Sequence, residues 1–293
     1  MAGVCRIFAG INNVLMILTC ETDVLATLAK GTDAGLYRLI PEKVVTAAGE
    51  MAVRELLAEA ARSGKPLTFK AGGTSLSGQT VTDSVLVQIG SGFGKPRIKA
   101  EGLYATFPCH LTGAEANRLL RPYGRKLGPA PASMRSARIG GIVANNASGA
   151  GQGILHNAYH TIRSMRVILA DGTVLDTGSE DSRRLFFETH TSLLEKLMNL
   201  RMEILCDEEM TARILHKYEL KNTCGYGVNA LLDFDDPYDM LVHLMVGSEG
   251  TLGFISQVTF ETIPDPAYKA AALVYFADLR EACRAVPLLR SCE

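Results

Sequence analysis

The chain has 293 residues, 47% apolar and 21% charged, the length of one large domain or two ordinary ones with a globular composition. A net charge of −1 and the absence of Trp exclude a strongly basic nucleic-acid face and a tryptophan stacking platform. Seven cysteines, an odd number without a Cys-x-x-Cys pair, indicate reduced thiols in a cytoplasmic setting and argue against zinc or iron–sulfur ligation.

In chain order, the apolar run Val14 to Leu18 follows Arg6, but Asn12 and Asn13 interrupt this region and no Ala-x-Ala site follows, so a signal peptide is not expected. No stretch approaches the roughly 18 apolar residues of a membrane-spanning helix. Val44-Val45 reads as a short strand. Glu50 to Ser63 puts Val53, Leu56, Leu57 and Ala60 on one helical face, with Gly64 as the stop. Pro66 to Phe69 and Val85 to Ile89 are strand-like, so residues 42–90 form a β-α-β-loop-β unit. Leu103 to Phe107 is a further strand. Thr112 caps a helix running through Arg121, with Glu115 completing a capping box. A rigid loop, Gly128-Pro129-Ala130-Pro131-Ala132-Ser133, precedes a small-residue segment from Arg138 to Gly149. Met165 to Leu169 and Thr173 to Asp176 pair across the hairpin signal Asp171-Gly172. Residues 181–220 read as mostly helical, their charges marking solvated faces. Asp239 to Val246 is apolar and leads into a third small-residue segment, Gly247 to Gly253, before a strand over Ile255 to Ile263. Ala271 to Phe276 reads as a strand, and Asp278 with Glu281 caps a helix reaching Glu293. A lone strand and helix rarely form a stable unit, so they read as the beginning of a second domain.

The most informative segment is Lys70-Ala71-Gly72-Gly73-Thr74-Ser75-Leu76-Ser77-Gly78-Gln79. It carries little apolar surface to pack. A glycine-rich turn can aim several backbone N–H groups into one concavity that binds a pyrophosphate, and the hydroxyls of Thr74, Ser75 and Ser77 add donors. The bland alternative is a glycine-rich strand connector. A Walker loop is excluded because Lys70 precedes the glycines, and a dinucleotide fingerprint because strand-like sequence, not a helix, follows Gly78.

Three small-residue segments in this order resemble the FAD-binding domain of the vanillyl-alcohol oxidase/p-cresol methylhydroxylase superfamily. Within it the chain is most similar to FAD-linked D-lactate and D-2-hydroxyacid dehydrogenases, particularly long members with a C-terminal iron–sulfur region. The phrases carrying the resemblance are Tyr37-Arg38 after Gly31-Thr32-Asp33-Ala34, Gly73 to Gln79, Pro122 to Pro129, Gly140 to Gly149 and Gly247 to Gly253. The resemblance implies an α+β, two-subdomain fold. Residues 1–34 would be an N-terminal extension, 35–265 the FAD-binding domain (subdomains of about 35–95 and 96–265), and 266–293 the start of an incomplete cap domain.

It also implies noncovalent FAD, because Thr74 and Ser75 stand where some members attach the flavin through His or Cys. Residues 70–79 would hold the pyrophosphate. Pro129, Ser133, Gly140, Gly141, Ile142, Asn145, Ser148 and Gly149 would line the flavin and its ribityl chain, and Glu249, Gly250 and Ile255 would close around the cofactor. The implied substrate is a small 2-hydroxyacid such as D-lactate, and the implied partner a cap or iron–sulfur polypeptide. A cytoplasmic place follows, with peripheral association at the inner membrane left open. Three departures from the family pattern stand out: Lys70 where arginine is frequent, Ala130 in place of an acid, and Ala150-Gly151-Gln152-Gly153 in place of a cysteine-containing turn.

No residue is singled out as catalytic. His156 and His160 are four apart, as some zinc ligands are, but no third ligand is evident, so no metal site is expected. His190, His216 and His243 read as structural and His110 as a loop histidine. Cys224 reads equally as a residue near the cofactor, by analogy, or as part of a plain glycine-rich loop.

Overall fold

A computed structural model describes residues 5–7, 18–149 and 154–290. The apolar run up to Ile17, the turn at 150–153 and the last three residues lie outside the described residues. In chain order the elements are β1 (Cys5–Ile7), β2 (Leu18–Glu21), α1 (Val24–Lys30), β3 (Lys43–Ala47), α2 (Glu50–Ser63), β4 (Leu67–Lys70), β5 (Val85–Ile89), β6 (Arg97–Lys99), β7 (Tyr104–Pro108), α3 (Gly113–Leu120) and β8 (Arg125–Lys126). They continue with α4 (Ile139–Ala144), α5 (Ala158–Thr161), β9 (Ile162–Ile168), β10 (Val174–Asp176), α6 (Glu180–Cys206), α7 (Glu208–Tyr218), α8 (Ala230–Asp233), α9 (Pro237–Met245), β11 (Phe254–Glu261), β12 (Ile263–Pro264) and α10 (Leu279–Arg290).

Two five-stranded sheets organise the chain. The first has the order β1-β2-β3-β5-β4, and the second β10-β9-β11-β7-β6. In the first, β3 and β4 both run parallel to β5, while β2 lies antiparallel on β3. Strand β5 lies between β3 and β4 and is buried on both faces, which explains its unbroken apolar run Val85-Leu86-Val87. The second sheet is antiparallel throughout, with β11 between β7 and β9. Phe107, Ile162, Met165, Val258 and Phe260 form its core, each at most 1% exposed.

Helix α2 joins the sheets. Its inner residues Ala52, Val53 and Leu56 share one apolar cluster with Val45 and Val87 of the first sheet and with Ile168 and Phe254 of the second. At its first turn the Glu50 carboxylate accepts from Arg166 of β9, at 2.7 Å from Nε and 2.9 Å from Nη2, and from the Ser256 hydroxyl of β11. Gly64 ends α2 in the left-handed conformation, its N–H returning to the Ala60 carbonyl at 2.8 Å. The capping box forms as expected: Thr112 Oγ1 accepts the Glu115 N–H at 3.2 Å and Glu115 accepts the Thr112 N–H at 2.9 Å.

The structure departs from expectation in three places. Residues 18–21, which fall within the expected extension, pair with β3 of the first sheet as β2, and α1 follows them. Gly140-Gly141, read only as small residues, lie in a short helix, because Arg138 and the buried Ile139, Ile142 and Val143 give it a core-facing side. Residues 271–276, expected as a strand, form none: Leu273 is 79% and Tyr275 84% exposed, and among the described residues no neighbouring strand meets them. A strand needs a partner for its backbone donors, so apolar alternation alone does not make one. The helix after them does form, as α10, also exposed.

Candidate functional site

The glycine-rich loop leaves the C-terminal end of β4 and does not rejoin the sheet until β5. Gly73 and Gly78 have φ of +64° and +80°, which only glycine adopts at little cost. Among the described residues the backbone N–H groups of Gly72 through Leu76 meet no acceptor, and the Thr74, Ser75 and Ser77 hydroxyls make no hydrogen bond. The next N–H, of Ser77, is held by Gln79 Oε1 at 3.1 Å. Five successive uncommitted donors suit an anion.

The second segment packs directly on this loop. A Cβ on Gly72 would lie 2.3 Å from the Ser136 carbonyl oxygen, so only a glycine lets the two backbones approach this closely. A Cβ on Gly141 would lie 3.5 Å from that of Ala71. Arg138, at the start of α4, donates to the Ile89 carbonyl at the end of β5 and so ties α4 to the first sheet. Behind α4, Pro129 and Ser133 belong to a turn whose Ala130 N–H donates to the Ser148 carbonyl at 3.1 Å. Gly149 sits so near the Ala130 oxygen that a Cβ would come within 2.4 Å. The Ser148 hydroxyl is buried and meets no partner among the described residues.

The third segment closes over the end of α4. The N–H groups of Gly247 and Glu249 donate to the Val143 and Ala144 carbonyls at 3.1 and 2.9 Å. Glu249 has a φ of +52° and Gly250 one of +77°. Asn145 Nδ2 donates to Glu249 Oε1 at 2.6 Å, and the Gln79 side chain lies close enough to lower the same carboxyl. Glu249 therefore joins all three segments. Burial raises its carboxyl above the ordinary value, against the lowering pull of Asn145 and Gln79.

Three of the expected residues sit differently. The Ile142 and Ile255 side chains are 1% and 5% exposed and belong to apolar clusters, so they support the cleft from behind. The Lys70 ammonium, expected as part of the phosphate loop, points to the Lys30 carbonyl at 3.0 Å and to that of Thr32. Tyr37, expected only as part of a sequence phrase, lies against Gly78, whose Cβ would be 3.1 Å from the Tyr37 ring. Nothing local in the sequence reveals that contact, because Tyr37 and Gly78 belong to segments that meet only in the fold.

A cavity of about 240 Å³ adjoins the site on the side of Asn146 and Gly247, with Tyr159, Asn222, Gly225 and Asp233 in its wall. The Tyr159 hydroxyl donates to Asp233 Oδ2 at 2.7 Å, and burial with that carboxylate pushes the phenol well up. The loop carrying Cys224 passes here, with Tyr226 OH 2.9 Å from Thr251 Oγ1. Cys224 is exposed. His243 is buried on Phe234, ring centroids 4.0 Å apart, with Nδ1 2.7 Å from the Asp239 carbonyl oxygen, a structural placement. His190 lies 2.9 Å from Asp171, and His160 Nδ1 lies 2.9 Å from Asn157. Among the described residues no three His, Cys, Asp or Glu side chains gather around a common point.

Against known proteins, the FAD binding domain family matches residues 41–178. The chain is 25% identical to D-2-hydroxyglutarate dehydrogenase of Pantoea ananatis over 268 residues, covering 89% of this chain and 26% of that protein. It is 23% identical to D-lactate dehydrogenase of Archaeoglobus fulgidus, covering 75% of this chain and 38% of the relative. Among solved structures, an alkyldihydroxyacetonephosphate synthase superposes with a TM-score of 0.60 at 17% identity, covering 93% of this chain and 43% of that one. The chain thus spans about a quarter of the length of the D-2-hydroxyglutarate dehydrogenases it matches.

Proposed function

We propose that the chain is the FAD-binding part of a dehydrogenase that oxidises a D-2-hydroxyacid, a reading supported by the FAD binding domain match over residues 41–178 and by the fold it shares with an alkyldihydroxyacetonephosphate synthase. The observation that carries the reading is the run of five uncommitted N–H donors from Gly72 to Leu76, with α4 packed against it. These donors would hold the pyrophosphate, and Gly141, Asn145 and the turn at Ala130–Ser133 would lie along the rest of the cofactor. The orphaned Ser148 hydroxyl fits a polar group brought close to this wall. Noncovalent attachment is proposed because Thr74 and Ser75 offer no imidazole or thiol for a flavin bond.

When bound, FAD would supply a two-electron acceptor for the α-carbon of the hydroxyacid. The protein's own part is to fix the cofactor through backbone donors and to join its three segments through Glu249. A non-NAD acceptor, such as a quinone, a cytochrome or an iron–sulfur polypeptide, would then take the electrons. The names of the relatives support D-2-hydroxyglutarate or D-lactate as the substrate class.

A second reading is favoured by coverage: only 26% of the Pantoea relative is represented. In that reading the chain binds FAD but turns over only when a cap polypeptide provides the substrate-binding groups. One experiment addresses both. The purified chain is examined for a flavin spectrum and for acid-released FAD, then reduced anaerobically with D-2-hydroxyglutarate or D-lactate. About one FAD per chain with bleaching by a hydroxyacid supports the first reading, and FAD without bleaching the second. A folded, colourless protein that takes up no added FAD refutes both.

A further inference from the structure

Residues 31–39 form a compact strap that no part of the proposed function uses. The Leu39 N–H donates to the Gly31 carbonyl at 3.1 Å, and Thr32 and Arg38 form an antiparallel bridge. Inside it, Asp33 Oδ1 accepts the Gly35 N–H at 2.7 Å. The strap lies on the glycine loop at two points: a Cβ on Gly35 would come 2.5 Å from the Leu76 carbonyl oxygen, and the Tyr37 ring lies against Gly78. Asp33 Oδ2 also faces Thr80 Oγ1 at 3.5 Å, just beyond the loop.

Lys70 holds this strap from below. The residue is 9% exposed, a Cβ on Gly73 would lie 3.0 Å from its Cε and 3.9 Å from its Nζ, and its ammonium donates to the carbonyls of Lys30 and Thr32, on both sides of Gly31. A lysine serving as counter-ion to a bound phosphate would leave its ammonium free for the anion that the uncommitted N–H groups of residues 72–76 hold. Here the ammonium is directed to the backbone of a different segment. Two charge-assisted bonds to carbonyls, made where burial weakens competition from water, fix the strap's entry point.

We propose that Lys70 is a positioning residue, clamping residues 31–39 so that Tyr37 covers Gly78 and holds the glycine loop in its ligand-ready shape. The strap itself is a property of the protein without ligand; its effect on ligand rests on the FAD reading above. Loss of the clamp frees the strap, and the loop then pays an ordering cost on binding.

The test uses wild type, Lys70→Met, Lys70→Arg, Tyr37→Ala and the double variant Lys70→Met/Tyr37→Ala. Amide hydrogen exchange of residues 31–39 in the apoprotein is read together with FAD affinity from quenching of flavin fluorescence. The expected result is faster exchange of the strap in Lys70→Met and about a tenfold weaker FAD affinity, as for the loss of a charge-assisted hydrogen bond. Tyr37→Ala weakens FAD comparably without removing the charge, and the double variant is no worse than the weaker single. Strap exchange unchanged in Lys70→Met, or FAD losses that add in the double variant, overturns the proposal in favour of direct action of Lys70 on the ligand. Restoration of affinity by Lys70→Arg without restoration of strap protection overturns it too. If wild type takes up no FAD, the cofactor reading fails, while the exchange comparison still decides whether Lys70 clamps the strap.

Discussion

Replacing Glu50 with Gln would test how the two sheets are held together. The carboxylate bridges α2 to β9 and β11 through Arg166 and Ser256. The Glu50 and Arg166 side chains retain 22% and 32% of their exposure, between a surface pair and a buried one. Exposed pairs contribute about 0–1 kcal/mol and breaking a buried one costs about 3–5, so about 2 kcal/mol is expected here. Asp176 Oδ2, 3.7 Å from Arg166 Nη1, keeps the guanidinium from being left alone and holds the cost at that level. For a chain of this size the loss lowers the melting temperature by about 3 °C. The pH dependence adds a sign. Burial alone would raise the Glu50 carboxyl, but the hydrogen bonds from Arg166 and Ser256 outweigh it and hold the group below its ordinary value. Its stabilisation is therefore present above that value and lost as pH falls through the lower folded-state value. Thermal melts of wild type and Glu50→Gln should differ at neutral pH and converge in acid. Equal melting temperatures at neutral pH, or a gap that persists unchanged at low pH, would show that the apolar contacts of α2 alone hold the sheets together.

Other outcomes follow from the same geometry. Gly72→Ala forces its Cβ against the Ser136 backbone oxygen, and should cost about 1–3 kcal/mol of stability and abolish most FAD uptake, read by melting and flavin titration. Glu249→Gln keeps an acceptor for Asn145 but removes a charge that burial disfavours. Because the folded-state value is raised, wild-type stability falls as pH rises through 4.5 towards that value. The variant should thus melt higher than wild type near neutrality, with the gap closing in acid; a lower melting temperature at neutral pH would contradict this. Thiol titration of the native protein should label the exposed Cys206, Cys224 and Cys283 and spare Cys109, which is 3% exposed with its thiol pushed up by burial, until denaturant is added.

What could be read from the sequence was what local chemistry controls. The Thr112–Glu115 capping box, the Asp171-Gly172 hairpin and the Gly64 stop depend on residues a few positions apart, and all formed. The glycine-rich loop was equally legible, since Gly73 and Gly78 mark left-handed backbone. The direction of the Lys70 ammonium was not, because its acceptors are 38 and 40 positions away. The pairing of residues 18–21 in the first sheet and the absence of a strand at 271–276 have one cause: pairing depends on a distant partner that a local pattern does not reveal. That the Ile142 and Ile255 side chains turn into apolar clusters was not legible either, since burial direction in a short helix and in a central strand is decided by packing.

The position of β11 has a consequence for the order in which the molecule is made. Strands β2 to β5 and helix α2 come from residues 18–89 and can pair while the rest of the chain is still being synthesised. The second sheet cannot, because its middle strand arrives last: Arg97 waits for Gln257, 160 positions later. Until then β7 and β9 have open edges, the condition in which nascent chains pair wrongly or aggregate. Glu249, which links the three segments of the cleft, is translated only five residues before β11 begins. The glycine loop is thus made early and completed late, and on the ribosome the cleft is among the last features of the described chain to acquire its shape.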